Sequence, residues 1–256
     1  LAIPKRPPQT LGWWLFGAIL FNGLCTWRFQ LWAFDFRQAI GDLGEYGARF
    51  RHPDWTGLLS YCKLMLQTLA IAFWGTVIGT LIALGGSLFG ARNLTPSRLA
   101  YRITREYFNL TRCIPDPVFA ILFLMCIGVG AQAGVFALAL HTGGFLGKTI
   151  CESLEGVDPG TYQGLRSTGA SPMQVLVYAG FPSVLREVGS FGIYSLDRNI
   201  RMAAVLGIFG AGGIGVPLKD SIDRFRFDQS AAVLSVLVVT LLIFELLSDR
   251  LRKALA

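Results

Sequence analysis

ESLEGVDPGTYQGLRSTGASPMQVLVYAGFP, running from Glu152 to Pro182, is a polar island set between long apolar segments. Hydropathy puts those segments in a bilayer, so the island lies in water at one face of it. Its middle, Thr161 to Ser171, has neither the length nor the apolarity of a span. Asp158-Pro159 is a helix start, with Asp as the N-cap and Pro at the first helical position, where its missing N–H costs no bond. Gly169 and Pro172 then stop the helix after about three turns. A short exposed helix between spans often does no more than connect them, so the residues around it decide its meaning.

Outward from the island, 53% of the 256 residues are hydrophobic and 15% are charged, against about 25% charged in a soluble domain. Mean hydropathy is +0.51. The apolar runs are long and do not alternate, which indicates an all-α polytopic membrane protein and excludes an outer-membrane barrel. A net charge of +7 suggests basic cytoplasmic loops first and an anionic cargo second. Lys/Arg runs with interleaved aromatics are absent, so nucleic acid is not an expected partner. Cys25, Cys62, Cys113, Cys126 and Cys151 are scattered without a C-x-x-C, and His52 and His141 stand far apart. Neither a disulfide framework nor a metal site is expected.

Six spans are expected. Lys5-Arg6 precedes a first one from Leu11 to about Thr26, which has the basic start of a signal peptide but no small-x-small cleavage site after it. Asp35 to Gly57 reads as a polar loop, and residues 1–57 as a unit apart from a core at 58–256. The second span is Tyr61–Gly90. Arg92, Arg98, Arg102 and Arg105 follow in the most basic loop of the chain. Phe108–Val129 is the third span, broken near its start by Pro115 and Pro117; Gly134–Ile150 is the fourth. Val175–Phe209 holds the fifth and Ser230–Leu247 is the sixth, before Arg250, Arg252 and Lys253. Positive residues gather on the side of both termini and of the island, which makes that side cytoplasmic.

Chemistry is concentrated in few places. Gly210-Ala211-Gly212-Gly213-Ile214-Gly215 fits G-x-G-x-x-G, but a dinucleotide site needs a βαβ unit, and here the motif ends a span. It reads instead as flexible or closely packed backbone. Asp197-Arg198-Asn199-Ile200-Arg201 places charge deep in the fifth span, where it costs roughly 2.5–3.5 kcal/mol unless it faces protein or water. Two readings stay open: an Asp197–Arg201 pair that satisfies itself and leaves Arg198 unmatched, or a path for an oxyanion, since guanidinium offers a planar fork to phosphate-like oxygens. Arg186-Glu187 reads as an interfacial or interhelical polar pair. Arg112 opens the third span beside the proline break. His141 and Lys148 dot the fourth, His141 as a packing residue and Lys148 snorkelling to the interface. Broken, Gly/Pro-rich spans mark binding sites in many transporters. Catalytic or nucleotide-binding motifs are missing, so any ATP use belongs to another chain.

Gln163-Gly164-Leu165-Arg166-Ser167-Thr168-Gly169-Ala170-Ser171, followed by Phe181-Pro182, resembles the EAA loop of ABC importer permeases. The triplet reads Gln-Gly-Leu and the Leu-Pro reads Phe-Pro, while Gly169 and Pro182 keep the register. The Gln163 departure removes a family carboxylate from the docking helix. Phe119-Ala120, Gly128-Val129-Gly130, His141-Thr142, Leu146-Gly147-Lys148, Arg166 to Ala170, Asn199-Ile200-Arg201 and the Gly210–Gly215 block together resemble the PhnE-type permeases for phosphonate, phosphite and hypophosphite. The resemblance implies a type I ABC importer permease with the MetI-like fold in a bacterial inner membrane. It implies a coupling helix at about 158–172, two permease copies (a homodimer), a dimer of ATPase subunits holding ATP and Mg, and a periplasmic binding protein. It implies no cofactor on this chain. Asn199 and Arg201, then Arg198, with His141 and Arg112, are the residues expected along the anion path. The rivals are an anion transporter working without an ATPase, which needs a coupling-ion site or an inverted repeat, a membrane enzyme acting on phosphorylated lipids, and a methionine-type permease.

Overall fold

The computed structural model describes residues 10–29, 36–95 and 97–255, and every regular element among them is helical. The expectations placed on Lys5, Arg6 and Asp35 lie outside the described residues. The chain forms two compact units, residues 1–49 and 50–256. The first contains α1 (Thr10–Arg28), which follows the first apolar run, and α2 (Phe36–Arg49). Helix α2 corrects the expected polar loop: Phe36, Ile40, Leu43 and Tyr46 recur at helical spacing, a pattern that averaged hydropathy hides.

The second unit runs α3 (Leu58–Gly90), α4 (Arg98–Cys113), α5 (Asp116–Ile127), α6 (Ala131–Gly156), α7 (Pro159–Arg166), α8 (Pro172–Val175), α9 (Phe181–Leu206), α10 (Gly215–Asp223) and α11 (Phe227–Leu255). A π-helical turn at Leu176–Gly180 joins α8 to α9, and another at Gly207–Ala211 follows α9. Three helices, α3, α6 and α11, are long and apolar enough to cross a membrane; α4 with α5, bent by 97°, and Pro172–Ala211 with α10, bent by 58°, raise the number to five if each pair is one span. Helix α1 is not among them, so the count of six is not reached on this measure.

The basic loop is also corrected. Arg98, Arg102 and Arg105 ride on α4, whose N-cap Ser97 accepts from the Ala100 amide at 3.4 Å. Its arginines alternate with apolar residues at the helical period, so the segment reads as polar on average. The chain then bends where Pro115 cannot continue the helix and holds Ile114 extended.

Helices α3 and α6 pack backbone to backbone. A Cβ on Gly75 would stand 2.7 Å from the Leu138 Cβ, and one on Gly79 2.8 Å from the Thr142 Cβ. The fully buried Phe108 of α4 fills the space left by Gly86 and Gly147, whose Cβ atoms would strike its ring. One apolar core, with Ile71, Phe119, Leu138 and Ile200, lies toward the start of α3. A second, with Ala83, Leu146, Leu154 and Tyr162, lies at the α7 end. At the far end Gly212 and Gly213 adopt φ of +82° and +74°. Their loop is held by the Ile214 amide, which donates to Thr68 Oγ1 at 2.8 Å, and by the Gly213 amide, which donates to Gln67 Oε1 at 3.3 Å. The glycines serve close packing there, and no strand exists among the described residues to build a dinucleotide site.

Candidate functional site

The polar island begins as its residues dictate, with Asp158 Oδ1 accepting from the Gly160 amide at 3.0 Å. Helix α7 stops sooner than expected, at Arg166 and not near Pro172. The Thr168 and Gly169 amides turn back onto the Leu165 and Arg166 carbonyls at 3.2 and 3.0 Å, and Gly169 takes φ +83°. Ser171 and Gln174 then form a reciprocal capping box that starts α8. Gln163, Gly164, Arg166, Ser167, Thr168, Gly169 and Ser171 are exposed, while Leu165 and Ala170 are half-buried against the second core.

What fixes this exposed turn is a set of bonds that the sequence did not announce. Tyr162 is buried and donates its hydroxyl to the Leu154 carbonyl at 2.9 Å. Burial pushes the Tyr162 phenol pKa up, outweighing the side-chain hydrogen bond with Asn93. Asn93 Nδ2 donates to the same Leu154 carbonyl at 2.9 Å, and the Arg166 guanidinium donates to the Asn93 carbonyl at 2.9 Å. Nearby, Arg105 donates from Nε to the Gly90 carbonyl at 2.8 Å and pairs with Glu155 at 2.8 Å. Helix α7 is thereby tied to the end of α6 and to the turn between α3 and α4.

A second constellation lies toward the C-terminal end of α9. Asn199 is completely buried, donating to Thr76 Oγ1 of α3 and Thr142 Oγ1 of α6, both at 2.9 Å. It joins three helices and is not open to a path within this chain, which departs from the expectation that it lines one. Arg201 pairs with Asp197 at 2.5 Å, one turn apart, as the self-satisfying reading requires; the arginine side chain is 44% exposed and the aspartate side chain 7%.

Arg198 is not unmatched. Its Nη2 donates to Asp116 Oδ2 at 2.7 Å and to His141 Nδ1 at 3.0 Å. Asp116 Oδ1 stands 3.2 Å from the same Nδ1, so that nitrogen accepts from Arg198 when the ring proton is on Nε2 and donates to Asp116 when it is on Nδ1. Asp116 was missed in the sequence, where Pro-Asp-Pro read only as a break. The signal was a carboxylate in the first turn after that break, where a helix N-terminus favours negative charge. His141 is therefore part of a charge cluster and more than a packing residue. Arg112 sits 5.9 Å over the Phe145 ring. Lys148 does not snorkel but donates to Asn109 Oδ1 at 2.9 Å. Arg186 and Glu187 line a groove of about 620 Å³ with Glu152 and Phe191. Groups able to hold a metal ion are absent among the described residues.

Residues 75–256 match the family described as binding-protein-dependent transport system inner membrane component. The chain belongs to that family. This inner membrane component is 32% identical over 251 residues to the phosphite transport system permease protein PtxC of Stutzerimonas stutzeri, covering 95% of this chain and 90% of the relative. It is 36% identical over 200 residues to the putative phosphite transport system permease protein HtxC of the same organism, covering 78% and 71%. The phosphate-import permease protein PhnE of Mycolicibacterium smegmatis is 34% identical over 75% of this chain and 36% of its own length. In structure, an inward-facing MetNI methionine ABC transporter superposes with a TM-score of 0.68 at 22% identity, over 79% of this chain and 98% of that one. That likeness shows the fold. The protein is thus a PhnE-like ABC importer permease, multi-pass in the inner membrane, and ATP hydrolysis belongs to a separate ATPase subunit. Family membership also sets aside the lipid enzyme and the ATPase-independent transporter.

Proposed function

We propose that this permease carries a phosphonate or a reduced-phosphorus oxyanion, phosphite or hypophosphite, into the cell by alternating access. The observation that carries the reading is the pair Arg198 and Arg201, partly exposed on one face of α9, in a chain related to phosphite permeases. Arg112, packed over Phe145 of α6, adds a further cation, and His141 lies against Arg198, while Asn199 holds α9 against α3 and α6. Two copies of the chain enclose the path, and a periplasmic binding protein delivers the anion. Helix α7 and its turn, Gln163 to Ser171, are the coupling element, docking on an ATPase dimer that holds ATP and Mg. Both termini are then cytoplasmic, on the side where positive charge gathers. The buried anchoring of α7 beneath an exposed polar surface supports a part that transmits force.

The test is uptake of phosphite into proteoliposomes holding permease, ATPase and binding protein. Arg201→Ala and Arg198→Gln are each expected to cut uptake at least fivefold while ATP hydrolysis persists. Wild-type uptake by both variants would assign the arginines to structure alone.

A further inference from the structure

We propose that Asp116 is an internal competitor for the cargo, holding Arg198 while the path is empty and limiting how tightly an oxyanion is held there. The inference rests on the anion reading of α9 and adds a residue and a role to it.

Arg198 and Arg201 share a face of α9, and each is the accessible half of an ion pair. The arginine side chains are 23% and 44% exposed; those of their partners, Asp116 and Asp197, are 5% and 7% exposed. Each arginine commits only Nη2 to its carboxylate. Oδ1 of Asp197 accepts no hydrogen bond and Oδ1 of Asp116 faces the His141 ring at 3.2 Å, not the guanidinium, so neither pair is the two-bond fork that guanidinium and carboxylate can make. The remaining donors of Arg198 and Arg201 have no partner among the described residues.

An oxyanion reaching this face therefore meets open donors on two cations, each with a carboxylate behind it. Full engagement of Arg198 means giving up the single bond to Asp116 Oδ2, and the anion also feels the nearby negative charge. A path must bind its cargo strongly enough to admit it and weakly enough to release it. Asp116 supplies the weakening. It is placed for this by the 97° bend, which brings the first turn of α5 against α9. Asp197 stands in the same relation to Arg201.

The test titrates phosphite into the detergent-solubilised permease–ATPase complex without the binding protein. Asp116→Asn is expected to bind phosphite about tenfold more tightly, the scale of one partly screened charge–charge interaction, and to turn over more slowly in proteoliposomes. Asp116→Glu, which keeps the charge, is expected to stay near wild type; a Glu variant matching Asn would put the effect down to packing and overturn the proposal. Unchanged affinity in Asp116→Asn, with binding weakened by Arg198→Gln, would overturn it while sparing the anion path. Unchanged binding in both Arg198→Gln and Arg201→Gln would instead sink the path itself. Should Asp116→Asn fail to assemble, Asp197→Asn puts the same question to Arg201, where wild-type affinity would again overturn the proposal.

Discussion

Arg166 reaches back from the exposed helix α7 to the carbonyl of Asn93, 2.9 Å away, in the turn between α3 and α4. Asn93 in turn holds the Leu154 carbonyl at the end of α6. The exposed element is thus bonded to the end of one long helix through Tyr162 and to the turn that follows another through Arg166.

Arg166→Ala removes one charge-assisted bond at an exposed site. Stability is expected to fall by only about 1 kcal/mol, with the complex still assembled. Stimulation of ATP hydrolysis by cargo-loaded binding protein should fall several-fold. Equal stimulation in variant and wild type would show that the tie to Asn93 transmits nothing.

Gly169 has open space around its Cα, so a substitution there meets no clash and only the left-handed backbone resists it. Gly169→Ala is expected to cost about 1–2 kcal/mol locally, visible as faster hydrogen exchange over Arg166 to Ser171. Gly169→Asp adds charge to the turn proposed to dock on the ATPase and should lower transport-coupled ATPase activity further, with insertion unaffected.

Asn199→Leu leaves Thr76 and Thr142 without their shared donor. A loss of about 2–4 kcal/mol is expected, read as a lowered thermal midpoint of the purified permease. Phosphite affinity should change little in whatever fraction stays folded, because Asn199 is closed off from the face that bears Arg198 and Arg201.

Gly147→Val drives a side chain into the ring of Phe108. Overpacking of this kind costs about 1–3 kcal/mol. Pairing it with Phe108→Ala should recover part of the loss, which thermal unfolding of the double variant would measure.

Much of this was legible in the residues. Asp158 and Pro159 start α7 by local capping chemistry, and Pro115 breaks the chain because a proline has no amide to give; neither depends on distant contacts. Helices α2 and α4 were hidden because hydropathy sums over faces, so a helix apolar on one side and charged on the other averages to a loop. The end of α7 was misplaced because a glycine in the left-handed region marks where a turn finishes, some residues after the helix has ended. The partner of Arg198 was out of reach for another reason. Asp116 and Arg198 meet only because a sharp bend carries α5 against α9, and nothing local to either residue records that. Asn199 and Arg201 differ by little in sequence, yet half a turn of helix sends one inward and the other outward.

The glycines of α3 and α6 carry a mechanical consequence. With Gly75 against Leu138 and Gly79 against Thr142, no compressible layer of side chains separates the two backbones. Such a pair resists sliding and behaves as a single girder. Any rearrangement that opens the molecule must leave it whole, so the pliant joints belong at the ends of α9, where the helix widens into a π turn on either side.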